Sequence, residues 1–250
     1  MNQAFNGSSK DDFPFYNNQP TAIRPVLWGM ILLSVLAGFA VLIAPLPLFS
    51  TPFGQFIPAI LFFAIPLFCL SKITPTHWRA IFRPVTRNHL KWMLLIGFLN
   101  VIVSVVVGLL VLKLYSANPN QAMAHLADAG TFERFLFFLK TLPQLFGEEV
   151  FTILPFLALM YAFYTHGALS RSQSVILAWF ITAVCFGLAH LPTYDWNLVQ
   201  CLLVIGTARL CLSLAYIKTK SIWVSTGAHI INDWTLFGLT LMLGLNTSGS

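Results

Sequence analysis

The sequence predicts an all-α fold, a polytopic transmembrane bundle of about seven helices, or eight, around an intramembrane polar cavity. Three observations carry that prediction. The 250 residues are 57% hydrophobic and only 9% charged, with a mean hydropathy of +0.78, whereas soluble domains carry about a quarter charged residues. Apolar runs near the roughly 20 residues that cross a bilayer recur along most of the chain. They are too long for barrel strands, and backbone groups in lipid must be satisfied within the segment, which leaves helices.

Residues 1–24 are polar and asparagine-rich, with Lys10, Asp11 and Asp12 adjacent. They lack the basic start and short apolar core of a cleavable signal peptide, and predict a disordered tail. Residues 25–245 read as a single membrane-embedded helical domain without internal repeat. A first span over 25–48 carries no charge, a shorter second over 54–71 is interrupted by Pro58 and Pro66, and a third covers 92–114. The fourth is less regular. Residues 132–142 are amphipathic with spaced charges, and 144–165 are apolar apart from Glu148 and Glu149. Pro143 either divides an interfacial helix from a spanning one or kinks one long helix. Spans five to seven fall near 173–191, 196–217 and 221–244.

Loop charge tests this order. The 72–91 segment carries Lys72, Arg79, Arg83, Arg87 and Lys91 without an acid, the 165–172 turn has Arg171, and 218–220 has Lys218 and Lys220. The alternate loops near 49–53, 116–131 and 191–195 have no Lys or Arg. This alternation predicts a multi-pass protein of the cell membrane with a cytoplasmic N-terminus. The net charge of +6 therefore lies mostly in orienting loops. The expected partner is the lipid bilayer, and nothing resembles a nucleic-acid-binding module. Cys69, Cys185, Cys201 and Cys211 lie in apolar stretches without C-x-x-C spacing and read as small buried hydrophobes.

A short set of polar residues remains inside the spans: Glu148, Glu149, His190, Arg209, His229, Asn232 and Asp233. An ionised side chain there costs about 2.5–3.5 kcal/mol on insertion scales, so such groups mark function or mutual compensation. His229 and Asp233 are i and i+4 and share a helix face, which Asn232 flanks; Phe186 and His190 have the same spacing, which lets ring pack on imidazole. Glu148 and Glu149 point about 100° apart, so one acts while its neighbour takes a supporting partner. Carboxylates beside histidines suit hydrolysis by an activated water. Glu148, His190 and His229 make a possible three-ligand site for Zn or another divalent metal with an open position. The same groups can also activate water without metal, and both alternatives stand. The bland reading is a set of interhelical hydrogen-bond clasps. H-E-x-x-H, G-x-S-x-G and G-x-G-D are all absent, and Tyr194–Asp195 alone does not make an aspartyl protease.

EE at 148–149, F-x-x-x-H at 186–190 and H-x-x-x-D at 229–233, in this order, resemble the three motifs of the type II CAAX prenyl protease family, also called Abi or CPBP, for CAAX proteases and bacteriocin-processing enzymes. The resemblance covers 140–240. It implies an intramembrane endopeptidase of about eight helices acting on a membrane-associated protein or peptide. It assigns water activation to Glu148, water holding to His190, the third-motif histidine to His229 and the oxyanion position to Asp233. The family's first-motif arginine would stand at position 153, which here is Ile153, and Arg209 is the candidate to replace it. An inactive relative serving as an immunity or scaffold protein is the alternative. A proton- or metal-coupled transporter is a third reading, weakened by the absence of paired repeats.

Overall fold

The computed structural model describes residues 12–120, 126 and 129–242. Among the described residues seven long helices follow in chain order: α1 (Pro25–Leu42), α2 (Phe56–Ile73), α3 (Arg87–Leu114), α4 (Thr131–Tyr161), α5 (Arg171–Ala189), α6 (Leu198–Thr219) and α7 (Ile222–Met242). Among the described residues there is no β-sheet, only an isolated bridge between Phe82 and Ser221. The first six are long and apolar enough to cross a membrane. The seventh has 21 residues and is less apolar, because it carries His229, Asn232 and Asp233.

Local chemistry sets the ends. Pro25 opens α1, where its missing N–H costs nothing. Thr86 Oγ1 accepts from the His89 amide at the start of α3. Ser170 and Gln173 form a reciprocal capping box on α5. Lys220, at φ 53°, ends α6 in the left-handed conformation.

Of the two readings at Pro143, the single long helix is the one found. Helix α4 is continuous over 31 residues with Pro143 and Pro155 inside it, roughly 46 Å at 1.5 Å per residue. Its length exceeds the ~30 Å hydrocarbon layer, so the amphipathic 131–142 stretch is the extended start of the spanning helix. α4 is also the central element, packed against α1, α2, α5 and α7, while α3 packs on α6 and α7.

Alternate loops gather at opposite ends of the bundle. At one end Ser221 Oγ donates to the Arg83 carbonyl at 2.7 Å. At the other, Asn118 bonds Gln200 and the Tyr194 carbonyl, and Asn197 donates to the Ser116 carbonyl at 2.9 Å. The Lys- and Arg-rich segments share the first end, as an alternating multi-pass chain requires.

Residues 12–24 are not a disordered tail; residues 1–11 of that expected tail, and 243–245 of the expected domain, lie outside the described residues. Phe13, Phe15, Tyr16 and Ile23 are buried in the main apolar core. Asp12 accepts a forked pair of hydrogen bonds from Arg171 and another from the Tyr16 hydroxyl at 2.6 Å. Arg83 donates to the Asp12 carbonyl. The asparagine-rich average hid the F-P-F-Y run that supplies the apolar area. Cys185, expected to be buried, is exposed, and all four thiols are free.

Burial raises the Asp12 carboxyl, but Arg171, Tyr16 and the Phe13 amide outweigh it and hold the group below the usual carboxylate range. A depressed folded pKa stabilises above the unfolded value of about 3.9 and is lost as pH falls through the folded one. Asp12→Asn is therefore expected to lower the melting temperature in detergent at neutral pH. The gap from wild type should narrow below about pH 4, and a pH-independent gap would show that the carboxylate charge is not what stabilises.

Candidate active site

The three motif helices place their polar groups on one another. Glu148 and Glu149 lie mid-way along α4, His190 caps the C-terminus of α5, Arg209 projects from α6, and His229, Asn232 and Asp233 come from α7.

The two glutamates separate as their angular offset requires. Glu149 is fully buried and faces Arg209, with Nη1 to Oε1 at 2.8 Å and Nη2 donating to Oε2 at 3.0 Å. Nη1 meets the ion-pair distance off-axis, so the Nη2 contact is the aligned hydrogen bond. The guanidinium also lies over the Phe186 ring, 4.9 Å from its centroid. Ile153 is an apolar core residue at 2% exposure. The charge next to Glu149 thus comes from α6, two helices away in sequence.

His229 sits between the glutamates. Its Nδ1 is 2.9 Å from Glu149 Oε1. A carboxylate paired with arginine only accepts, so Nδ1 carries the proton and Nε2 is left for the other side. Nε2 lies 3.7 Å from Glu148 Oε2 and 3.6 Å from Asp233 Oδ1, beyond a direct hydrogen bond and in the range where a water bridges. Glu148 Oε1 accepts from Gln144 Nε2 at 3.2 Å. His190 is fixed in the same way, Nδ1 donating to the Phe186 carbonyl at 2.8 Å, with the two rings in tilted contact at 4.6 Å between centroids as the i, i+4 spacing anticipates. Both imidazoles therefore have Nε2 uncommitted. Asn232 Nδ2 donates to Asp233 Oδ1 at 2.8 Å, which makes that carboxylate oxygen an acceptor.

Glu148, His190 and Phe186 line two adjoining cavities of about 380 and 360 Å3, within the usual size of ligand sites. The second also exposes His229, Asn232 and Asp233. Walls from the 43–55 loop and from Thr193 put the mouth at the Lys- and Arg-poor end. Gly187 lets α5 approach α6 there: an added Cβ would lie 2.7 Å from the Cys201 carbonyl oxygen.

For the expected ligand set Glu148, His190 and His229, no metal-holding cluster of three His, Cys, Asp or Glu groups is found among the described residues.

A family model described as "Type II CAAX prenyl endopeptidase Rce1-like" matches residues 130–235. This region is similar to that family. The match contains all three motifs and agrees with the resemblance they carry. No curated protein and no solved structure matches the chain. Within residues 130–235 the cavity-lining Lys140 and Gln144 escaped the sequence reading, and Tyr194 was named there without a site role. The first two share the i, i+4, i+8 face that ends at Glu148, a spacing legible in principle. Tyr194 was set aside with the aspartyl-protease pattern. Its hydroxyl accepts from Asn120 Nδ2 at 3.1 Å, and burial raises its pKa to about 12.

Proposed function

We propose that the protein is an intramembrane endopeptidase in which Glu148 is the general base. The observation that carries this is the unequal treatment of adjacent carboxylates: Glu149 is consumed by Arg209 and His229, while Glu148 faces a cavity with two imidazole Nε2 atoms. A water that donates one hydrogen to Glu148 Oε2 and the other to His229 Nε2, with His190 lining the same cavity, gives its proton to Glu148. The hydroxide oxygen bonds the substrate carbonyl carbon. As the C–N bond breaks, Glu148 returns the proton to the departing nitrogen. Asp233 accepts from Asn232 and, as a carboxylate, cannot donate to an oxyanion. Tyr194, protonated at neutral pH, is the neutral donor lining the same cavity.

The mouth lies at the end opposite the basic loops. With those loops cytoplasmic, the cavity opens away from the cytoplasm, which favours exported peptides over cytosolic prenylated proteins as substrates.

The test compares membrane-proteome N- and C-termini in cells making the wild type, Glu148→Ala or His229→Ala at matched levels. New termini confined to the wild type are expected, on segments outside the cytoplasm. Identical termini in all three, with each protein stably inserted, would favour the inactive scaffold role instead.

A further inference from the structure

Residues 12–16 reach further than the core they fill. Asp12 takes its forked bonds from Arg171, its carbonyl accepts from Arg83, and the Lys220 ammonium lies 5.5 Å from the Phe13 ring centroid. One short segment thus touches all three turns of the Lys- and Arg-rich end. Phe13 stands edge-on to Phe156 of α4 at 5.4 Å and lies 6.0 Å from Tyr216 of α6. Phe156 and Tyr216 in turn line a small cavity of about 10 Å3, space for at most one water, whose other walls include Glu149 and Arg209. Arg209 continues from there into the large cavity that holds His229. Phe156 and Tyr216 therefore stand between Phe13 and the space behind the buried ion pair. The segment is also strained. Phe15, fully buried, has φ 72° and Asn18 has φ 65°, left-handed values that a bulky side chain keeps only while its contacts hold it there.

We propose that residues 12–16 are a releasable strap, an internal ligand of the basic end whose docking switches the Glu149–Arg209 pair between a dry, fixed state and a hydrated, loosened one. The effect on cleavage rests on the endopeptidase reading; the docking does not. Phe156 and Tyr216 each follow their member of the ion pair by about two helical turns, so Phe13 ties together the two helices that carry the pair. When the strap leaves, its backbone strain relaxes. Water entering the small cavity then raises the local dielectric and weakens the attraction between guanidinium and carboxylate. Glu149 Oε1, 2.9 Å from His229 Nδ1, no longer fixes that imidazole beside Glu148. Residues 12–16 are thus positioning residues, acting on the site through Glu149. The socket's chemistry defines its occupant: an acidic side chain for Arg171, followed directly by an aromatic ring for Phe156 and Tyr216. A partner segment of that pattern competes for the same place.

The experiment uses the full chain in phosphatidylcholine nanodiscs, where both faces are open to reagent. Asp12→Ala with Phe13→Ala releases the strap, and the probe is a fluorescein-labelled peptide with the sequence of residues 10–20. Binding is read by anisotropy. Thr182→Cys, in both backgrounds, places a thiol in the small cavity, and its modification by a methanethiosulfonate is read by mass spectrometry at that position. The released chain should bind the peptide, and the wild type, with its socket filled, should not. The same peptide with Asp12→Asn should bind about tenfold more weakly, the size of a charge-assisted hydrogen bond. The introduced thiol should stay protected in the strapped chain, react in the released one, and be protected again by the peptide. On a substrate found by terminus profiling, release should lower kcat with KM little changed, and the peptide should restore it. Should the double variant fail to insert, Phe13→Ala alone carries the same comparison. Equal peptide binding by both chains overturns the strap, as does a thiol equally reactive in every state. Strap-dependent protection without cleavage by any chain rejects the endopeptidase and keeps the strap. Wild-type cleavage that the released chain keeps in full does the reverse.

Discussion

Arg209→Ala is expected to remove the protein from the membrane fraction. The substitution leaves the fully buried Glu149 without its cationic partner. Removing one member of a buried ion pair costs about 3–5 kcal/mol, a large part of a typical total of roughly 5–15 kcal/mol. The loss of the guanidinium packed on Phe186 adds to it. Arg209→Lys keeps the charge but not the planar fork, and should recover only part of the stability. Arg209→Glu, which opposes two carboxylates, should be the worst of the series. The informative variant is the double substitution Arg209→Ala with Glu149→Gln, which removes the orphaned charge. Its melting temperature in detergent should lie above that of Arg209→Ala alone. If the single variant accumulates and melts like wild type, the pair does not compensate for the missing arginine at position 153.

Glu148→Gln is expected to do the opposite: leave the fold and lose the reaction. Glu148 is at the cavity surface and accepts one hydrogen bond from Gln144. The amide fills the same space and exposes no unpaired buried charge. A general base contributes about 10²–10⁴-fold in rate, and the cleavage rate of a substrate found by terminus profiling should drop by that order with an unchanged melting temperature. Glu149→Gln should differ in kind, losing stability and activity together, because it holds both Arg209 and His229. If Glu148→Gln were silent and Glu149→Gln alone lost activity while both variants melted normally, the roles of the adjacent glutamates would have to be exchanged.

Much of this arrangement is legible in the chain because membranes make polar residues conspicuous. The helix i, i+4 rule places His229 beside Asp233 and Phe186 beneath His190, and the 100° offset separates Glu148 from Glu149. Arg209 stands out as a mid-span cation and needs a carboxylate. What the sequence hides has two physical sources. Composition averages conceal short motifs, so Phe13, Phe15 and Tyr16 vanish into an asparagine-rich tail although they are core residues. Long-range pairings have no local signal: Asp12 and Arg171 are 159 residues apart. Pro143 leaves two readings open in the sequence, and packing around α4, which tolerates the lost backbone hydrogen bond, decides for the continuous helix. Lys140 and Gln144 were passed over because only the glutamates of this segment were followed along the helix face that also carries residues 140 and 144.

The N-terminal clasp also sets a schedule for biogenesis. Phe13 packs on Phe156 and Tyr216, and Asp12 is held by Arg171. Residues 12–16 thus have their full set of partners only after α6 has been synthesised. Until then they wait at the membrane surface, and α1 and α2 can pair with each other but not with the finished end of the bundle. Assembly closes like a drawstring, with the earliest segment tied last.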